Sequence, residues 1–254
     1  MTDRNVALVA GASGGVGREV ARQLAQRGDR LVLQYRSNAA PVQALMSELP
    51  AGDAIAVQGD LSEVGASDAL AARAWSEFGR LDTFVNTVGH TNEYVRFMDM
   101  SDEAIDQTIA IELRTIVFSV RAALGSMVRA GNGGRIVLVG SDSGKVGTTG
   151  EAVSAACRAA IIGFAKSVAR EHARDDILAN VVCPGPIETE LWHRVTGAAE
   201  YSESVANKIV QATPMRRVAL ASEIADAVVY LTSPQSSFIT GQAISVSGGL
   251  TMVS

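Results

Sequence analysis

The sequence predicts an α/β fold built as a single domain, a doubly wound parallel sheet of Rossmann-like type with helices on both faces. Three observations carry this. Short β-branched runs alternate with longer stretches of helical periodicity along the chain. A glycine cluster stands where the first run gives way to the first helical stretch. The 254 residues contain no linker-like tract, internal repeat or low-complexity segment, so one large core across residues 1–254 is expected.

In chain order, strands are expected at residues 6–10, 30–34, 54–58, 83–87, 135–139, 178–182 and 243–246, short runs of β-branched and other apolar residues. Between them, helical periodicity covers residues 16–27, 41–49, 66–78, 102–128, 153–173 and 222–231. Several of these open on acidic residues, which suit the positive end of the helix dipole. Such alternation argues for parallel strands covered by helices on both faces. Residues 188–213 interrupt it, mixing Trp192, His193 and Tyr201 with polar residues. An insertion after the carboxyl end of a strand lies beside the ligand crevice of an open α/β sheet, so this segment is a candidate substrate lid.

Composition narrows the partners. Apolar residues make up 47% of the chain and charged residues 19%, and the net charge of −5 is dispersed over both signs. No basic stripe is available to neutralise phosphates, so no nucleic-acid partner is expected. Apolar runs such as residues 159–165 fall far short of the roughly 20 residues of a membrane span, and Met1-Thr2-Asp3-Arg4 leads into a strand without a signal peptide. A cytoplasmic protein without a membrane partner is the expectation. Cys157 and Cys183 lack metal-ligand spacing and read as small buried residues, and the three histidines are widely scattered, so no metal site is expected.

The turn after the first strand reads Ala10-Gly11-Ala12-Ser13-Gly14-Gly15-Val16-Gly17. Glycines here let the backbone approach a pyrophosphate, and the helix N-terminus offers free N–H groups to its charge. The spacing of Gly11, Gly15 and Gly17 resembles the nucleotide-binding turn of the short-chain dehydrogenase/reductase family, and the chain resembles that family's 3-oxoacyl-ACP-reductase-like members. The resemblance runs through nearly the whole chain. Asp60-Leu61 resembles the family's adenine-side aspartate, and Asn86-Thr87-Val88-Gly89 its Asn-Asn-Ala-Gly turn with two substitutions. Pro184-Gly185 and Ile187 through Thr189 match its Pro-Gly turn and the threonine that holds the nicotinamide carboxamide. The tail through Ser247-Gly248-Gly249 matches the closing strand, with Ser247 where an aspartate is usual.

An acidic residue at the end of the second strand would hold a ribose 2′-hydroxyl and repel a 2′-phosphate. Here stand Gln34-Tyr35-Arg36-Ser37, with no acid. Arg36 can pair with a phosphate and Ser37 can donate to it, so NADP(H) is the expected cofactor.

The resemblance implies a catalytic serine, tyrosine, lysine and asparagine. Ser141 supplies the first, at the end of residues 135–141. The tyrosine position holds Ser154, the lysine position Arg158, and the asparagine position Glu112. A serine hydroxyl is far less acidic than a phenol, and a guanidinium keeps its proton above a pKa of about 12, so neither can run the usual proton relay. Ser154 and Arg158 nonetheless share a helix face by their i, i+4 spacing, and a Glu112 carboxylate could hold the guanidinium directly.

Three readings follow. The first is a reductase of small organic carbonyl compounds in which Ser141 and Arg158 polarise the carbonyl. The second is a catalytically silent nucleotide-binding relative. The third is non-redox chemistry, a dehydration or cyclisation, with Glu112, Asp142 or His90 as base. The resemblance also implies a homo-oligomer, a dimer or tetramer. Ala155, Ala156, Ala159, Ala160 and Gly163 would allow close helix packing in it.

Overall fold

The computed structural model describes residues 4–89, 94–196 and 203–253. Seven parallel strands form one sheet in the order β3-β2-β1-β4-β5-β6-β9. They are β1 (Val6–Ala10), β2 (Arg30–Tyr35), β3 (Ala54–Gln58), β4 (Thr83–Asn86), β5 (Gly134–Val139), β6 (Ile177–Pro184) and β9 (Ala243–Val246). The order reverses between β1 and β4, and in open α/β sheets ligands bind at such a switch point, beyond the carboxyl ends of the strands.

Strand pleat sorts each run between two cores. Val6, Leu8 and Ala10 of β1 face one cluster with α3 (Ala66–Phe78), α5 (Thr115–Ala130) and α7 (Ala152–His172). Ala7 and Val9 face the other with α1 (Gly15–Arg27), α2 (Ala40–Ser47) and α10 (Ala221–Leu231). Because both faces are covered, the strands read as continuous apolar runs.

Four features differ from the sequence expectation. The single helix expected over 102–128 is α4 (Asp102–Ile109) and α5 joined by a π-helical turn, Ala110–Arg114, in which Thr115 Oγ1 donates to the Ala110 carbonyl at 3.0 Å. Periodicity does not register such a wide turn, because the apolar spacing on either side of it stays helical. A four-residue helix, α6 (Ser143–Val146), follows β5. The 188–213 segment contains α8 (Glu190–Thr196) and α9 (Glu203–Ala212), anchored by a two-stranded parallel pair, β7 (Ile187–Glu188) with β8 (Ala219–Leu220). Strands of two residues are too short to leave a pattern. Tyr201 lies outside the described residues.

The fourth concerns α7. With its short extension, Ala152–Asp175 is long and apolar enough to cross a membrane by length and composition, against the expectation drawn from residues 159–165 alone. In the fold it is a core helix, burying Ile161, Ala165, Val168 and Ala169 against the sheet.

Candidate active site

The carboxyl ends of β1 to β6 deliver most of the residues the sequence singled out to one edge of the sheet. Gly11 has φ +80°, and a Cβ there would lie 2.8 Å from Thr87 Oγ1. A Cβ at Gly17 would lie 2.3 Å from the Gly11 carbonyl oxygen. These two glycines are therefore required by the protein's own packing. Gly14 differs: its φ is −76° and a Cβ would meet only the Gly11 carbonyl, at 3.4 Å.

A dinucleotide fits this turn. Gly14 caps α1 without a side-chain bond, and no acidic residue stands in the first turn to compete for its N–H groups, so Ser13 through Gly17 present a positive helix end. Thr189 packs across the turn, its Cγ2 lying 2.9 Å from where a Gly15 Cβ would be. Its Oγ1 accepts from Trp192 N at 3.4 Å. Pro184 closes β6, and Gly185 N donates to the Val246 carbonyl at 3.2 Å. Among the described residues, buried Asn86 accepts from Val88 N at 2.9 Å while its Nδ2 has no protein partner. Arg36 and Ser37 are exposed beyond half-buried Tyr35. Next to them, hydrogen bonds from Ser62 hold the Asp60 carboxyl below its usual value against burial, with the Arg36 charge adding to the effect.

Two tethers of this turn were not assigned from sequence. Buried Gln34 accepts from Gly11 N at 2.9 Å and donates to the Gly59 carbonyl at 2.7 Å, bridging the ends of β1 and β3. Thr87, in the Asn86–Gly89 turn, donates to the Ala10 carbonyl at 2.8 Å. Alternation along a strand shows which face a residue takes, but not which loop its side chain reaches.

Glu112, Ser154 and Arg158 converge. Glu112 Oε2, fully buried in the π turn, receives Ser154 Oγ at 2.7 Å and lies 3.0 Å from Arg158 Nε. The contact expected from the sequence is therefore direct, with no water between the charges. Arg158 Nη1 donates to the Val139 carbonyl at 3.2 Å, and Nη2 to the Gly89 carbonyl. Gly89 takes φ +120°, where a side chain would crowd that guanidinium. Ser141, two residues beyond Val139, accepts from the Ser143 N–H at 3.2 Å and from its hydroxyl at 3.0 Å.

The other candidate bases are placed differently. Asp142 is buried, its Oδ1 accepting from Ser245 of β9 at 2.7 Å. His90 lies outside the described residues. Sequence reasoning passed over Glu151, the N-cap residue of α7, although its place three residues before Ser154 puts it on the same helix face. Among the described residues no cluster of His, Cys, Asp and Glu could hold a metal ion.

Comparison with known proteins agrees with this architecture. The family described as "Enoyl-(Acyl carrier protein) reductase" matches residues 11–251. The 3-oxoacyl-[acyl-carrier-protein] reductase FabG of Escherichia coli (strain K12) is 35% identical over 249 residues, spanning 98% of each chain. Acetoacetyl-CoA reductase of Acinetobacter sp. (strain RA3849) is 36% identical over 255 residues, covering 99% of this chain and all of that one. The crystal structure of YwfH, an NADPH dependent reductase involved in bacilysin biosynthesis, superimposes with TM-score 0.91 at 25% identity, over 99% of this chain and 100% of that one. An actinorhodin polyketide ketoreductase with NADPH gives TM-score 0.91 at 31% identity, over 98% of each. With a complete sheet order, a glycine turn fastened at the switch point and likeness over the whole length, the chain belongs to the short-chain dehydrogenase/reductase family of oxidoreductases and resembles its 3-oxoacyl-ACP reductases.

Proposed function

We propose that this protein is an NADP(H)-dependent reductase of an organic carbonyl compound, working through a nonstandard polar site. The observation that carries the reading is the formed Glu112–Ser154–Arg158 cluster, gripping the Gly89 and Val139 carbonyls beside Ser141. A buried ion pair is costly to maintain, so an intact one at this place supports retained chemistry over drift.

When bound, the nicotinamide supplies a hydride to the substrate. The chain's own residues orient the two partners. Ser13 through Gly17 hold the pyrophosphate, Arg36 and Ser37 the 2′-phosphate, Asp60 and Leu61 the adenine side, and Asn86, Gly89, Pro184, Gly185, Ile187 and Thr189 the nicotinamide half. Solved neighbours described as NADPH-dependent or holding NADPH support this choice of cofactor. Ser141 donates to the substrate's carbonyl oxygen. Arg158 uses three of a guanidinium's five donors on the protein and contributes its charge beside that oxygen. Glu112 and Ser154 fix its position. The α8–α9 segment covers the substrate, and the enzyme works in the cytoplasm as a dimer or tetramer.

The test is a fluorescence titration of the purified protein with NADPH and NADH, beside Arg36→Ala, followed by a screen of carbonyl substrates. Selective NADPH binding that Arg36→Ala weakens is expected. Failure to bind either nucleotide overturns the reading. A silent relative would bind NADPH without turning over any carbonyl, and a non-redox enzyme would convert substrate without oxidising NADPH.

A further inference from the structure

A carbonyl reduction needs a proton as well as a hydride, and the groups around this site are mostly committed. Glu112 is buried and bonded to Ser154 and Arg158. Lys145 spends its ammonium on the Ala243 carbonyl at 2.7 Å, Ser245 Oγ at 3.0 Å and the Val253 carbonyl at 3.4 Å. Asp142 is buried with Oδ1 accepting from Ser245 of β9, and its Oδ2 is buried without a hydrogen-bond partner among the described residues. Glu151 differs from these in being only half-buried: its carboxyl, one helical turn before Ser154, accepts from Tyr94 and Thr148.

Its backbone is fixed. Glu151 N donates to the Thr148 carbonyl at 3.1 Å, and its own carbonyl accepts from Ala155 N at 2.7 Å. The preceding Gly150 accepts from Val95 N at 3.1 Å and lies so close to Tyr94 that a Cβ would come within 3.3 Å of it. Tyr94 and Val95 are thereby clamped onto the start of α7, with Tyr94 beside the Glu151 carboxyl.

The geometry points to Glu151 as the acid that delivers a proton to the substrate's carbonyl oxygen, replacing the absent family tyrosine. This rests on the reductase reading above. In the step, the carbonyl carbon gains the hydride from the reduced cofactor and the π pair of the C=O bond takes the Glu151 proton on oxygen. The products are an alcohol, an oxidised nicotinamide and a Glu151 carboxylate, which a solvent proton restores.

The surroundings favour the protonated form. Burial and the charge of Glu112 push the Glu151 carboxyl above its ordinary value, against the Arg158 charge and hydrogen bonds from Tyr94 and Thr148. Two carboxyls in one site, one fixed in an ion pair and one held toward neutrality, is an arrangement suited to general acid catalysis.

The experiment combines steady-state kinetics across pH with a ¹³C NMR titration of glutamate carboxyls in the apo-protein, on wild type, Glu151→Gln and Tyr94→Phe. Glu151→Gln should lower kcat by about 10²- to 10⁴-fold with NADPH affinity unchanged. Wild-type kcat should fall as pH rises, in step with a raised carboxyl titration that Glu151→Gln removes. Because the Tyr94 bond favours the charged carboxylate, Tyr94→Phe should move both transitions to higher pH. Turnover that survives Glu151→Gln overturns this assignment alone, and so does a Glu151 carboxyl titrating in the ordinary glutamate range. Loss of turnover and of the pH limb in Tyr94→Phe would transfer the role to the phenol and overturn it too. A wild type that oxidises NADPH with no carbonyl overturns the assignment and the reductase reading together.

Discussion

Arg158, expected from the sequence at the family's lysine position, spends its guanidinium differently from an ammonium. A planar fork can reach a carboxylate and two carbonyls at once, whereas an ammonium is a point charge on a flexible stem. Removing it would leave Glu112 charged in the core without its partner. Arg158→Ala should therefore abolish turnover and also destabilise the fold by about 3–5 kcal/mol, measured by urea unfolding. Replacing both members, Glu112→Leu with Arg158→Leu, should cost clearly less than the single change. Equal losses would show that the pair is not the source of the penalty. The two thiols make a second residue-scale test. Burial pushes Cys183 up to about 11 and also raises Cys157. Neither should react with a disulfide reagent at neutral pH until the protein is unfolded, and rapid reaction of the native protein would contradict this burial.

At the scale of elements, the glycine turn separates two demands that the sequence presents as one motif. Gly17→Ala should prevent α1 from docking under the Gly11 carbonyl and lower the melting temperature sharply. Gly14→Ala should leave stability nearly unchanged, because a Cβ there would meet only the Gly11 carbonyl at 3.4 Å, while weakening NADPH binding if the proposed pyrophosphate site is right. A large stability loss for Gly14→Ala in thermal melts would refute that division. The turn, the strands and the i, i+4 relation of Ser154 to Arg158 were legible in the sequence because each is a local spacing. The π turn carrying Glu112, the Gln34 bridge and the Glu151–Tyr94 contact were not. They depend on which loops the folded sheet brings side by side, and local pattern carries no record of that.

For the whole molecule, the proposal reaches to its assembly. Ala156, Ala159, Ala160 and Gly163 form an exposed stripe on α7, opposite its core face. Light scattering should find a dimer or tetramer, and Ala160→Glu should reduce it to a smaller species. A monomeric wild type would remove that part of the proposal.

The grip of Arg158 also sets an order of events for a chain emerging from the ribosome. Synthesis runs from the N-terminus, and domains tend to fold as they are completed. Here Glu112 leaves the exit tunnel ahead of its counter-ion, and the contacts that fasten Glu112, Val139 and Gly89 all wait on a side chain in a later helix. The nascent first half would keep that acid hydrated rather than bury it alone. Closure of this edge of the sheet is thus tied to the arrival of α7, and a half-made chain should stay open where the finished fold buries its Glu112–Arg158 pair.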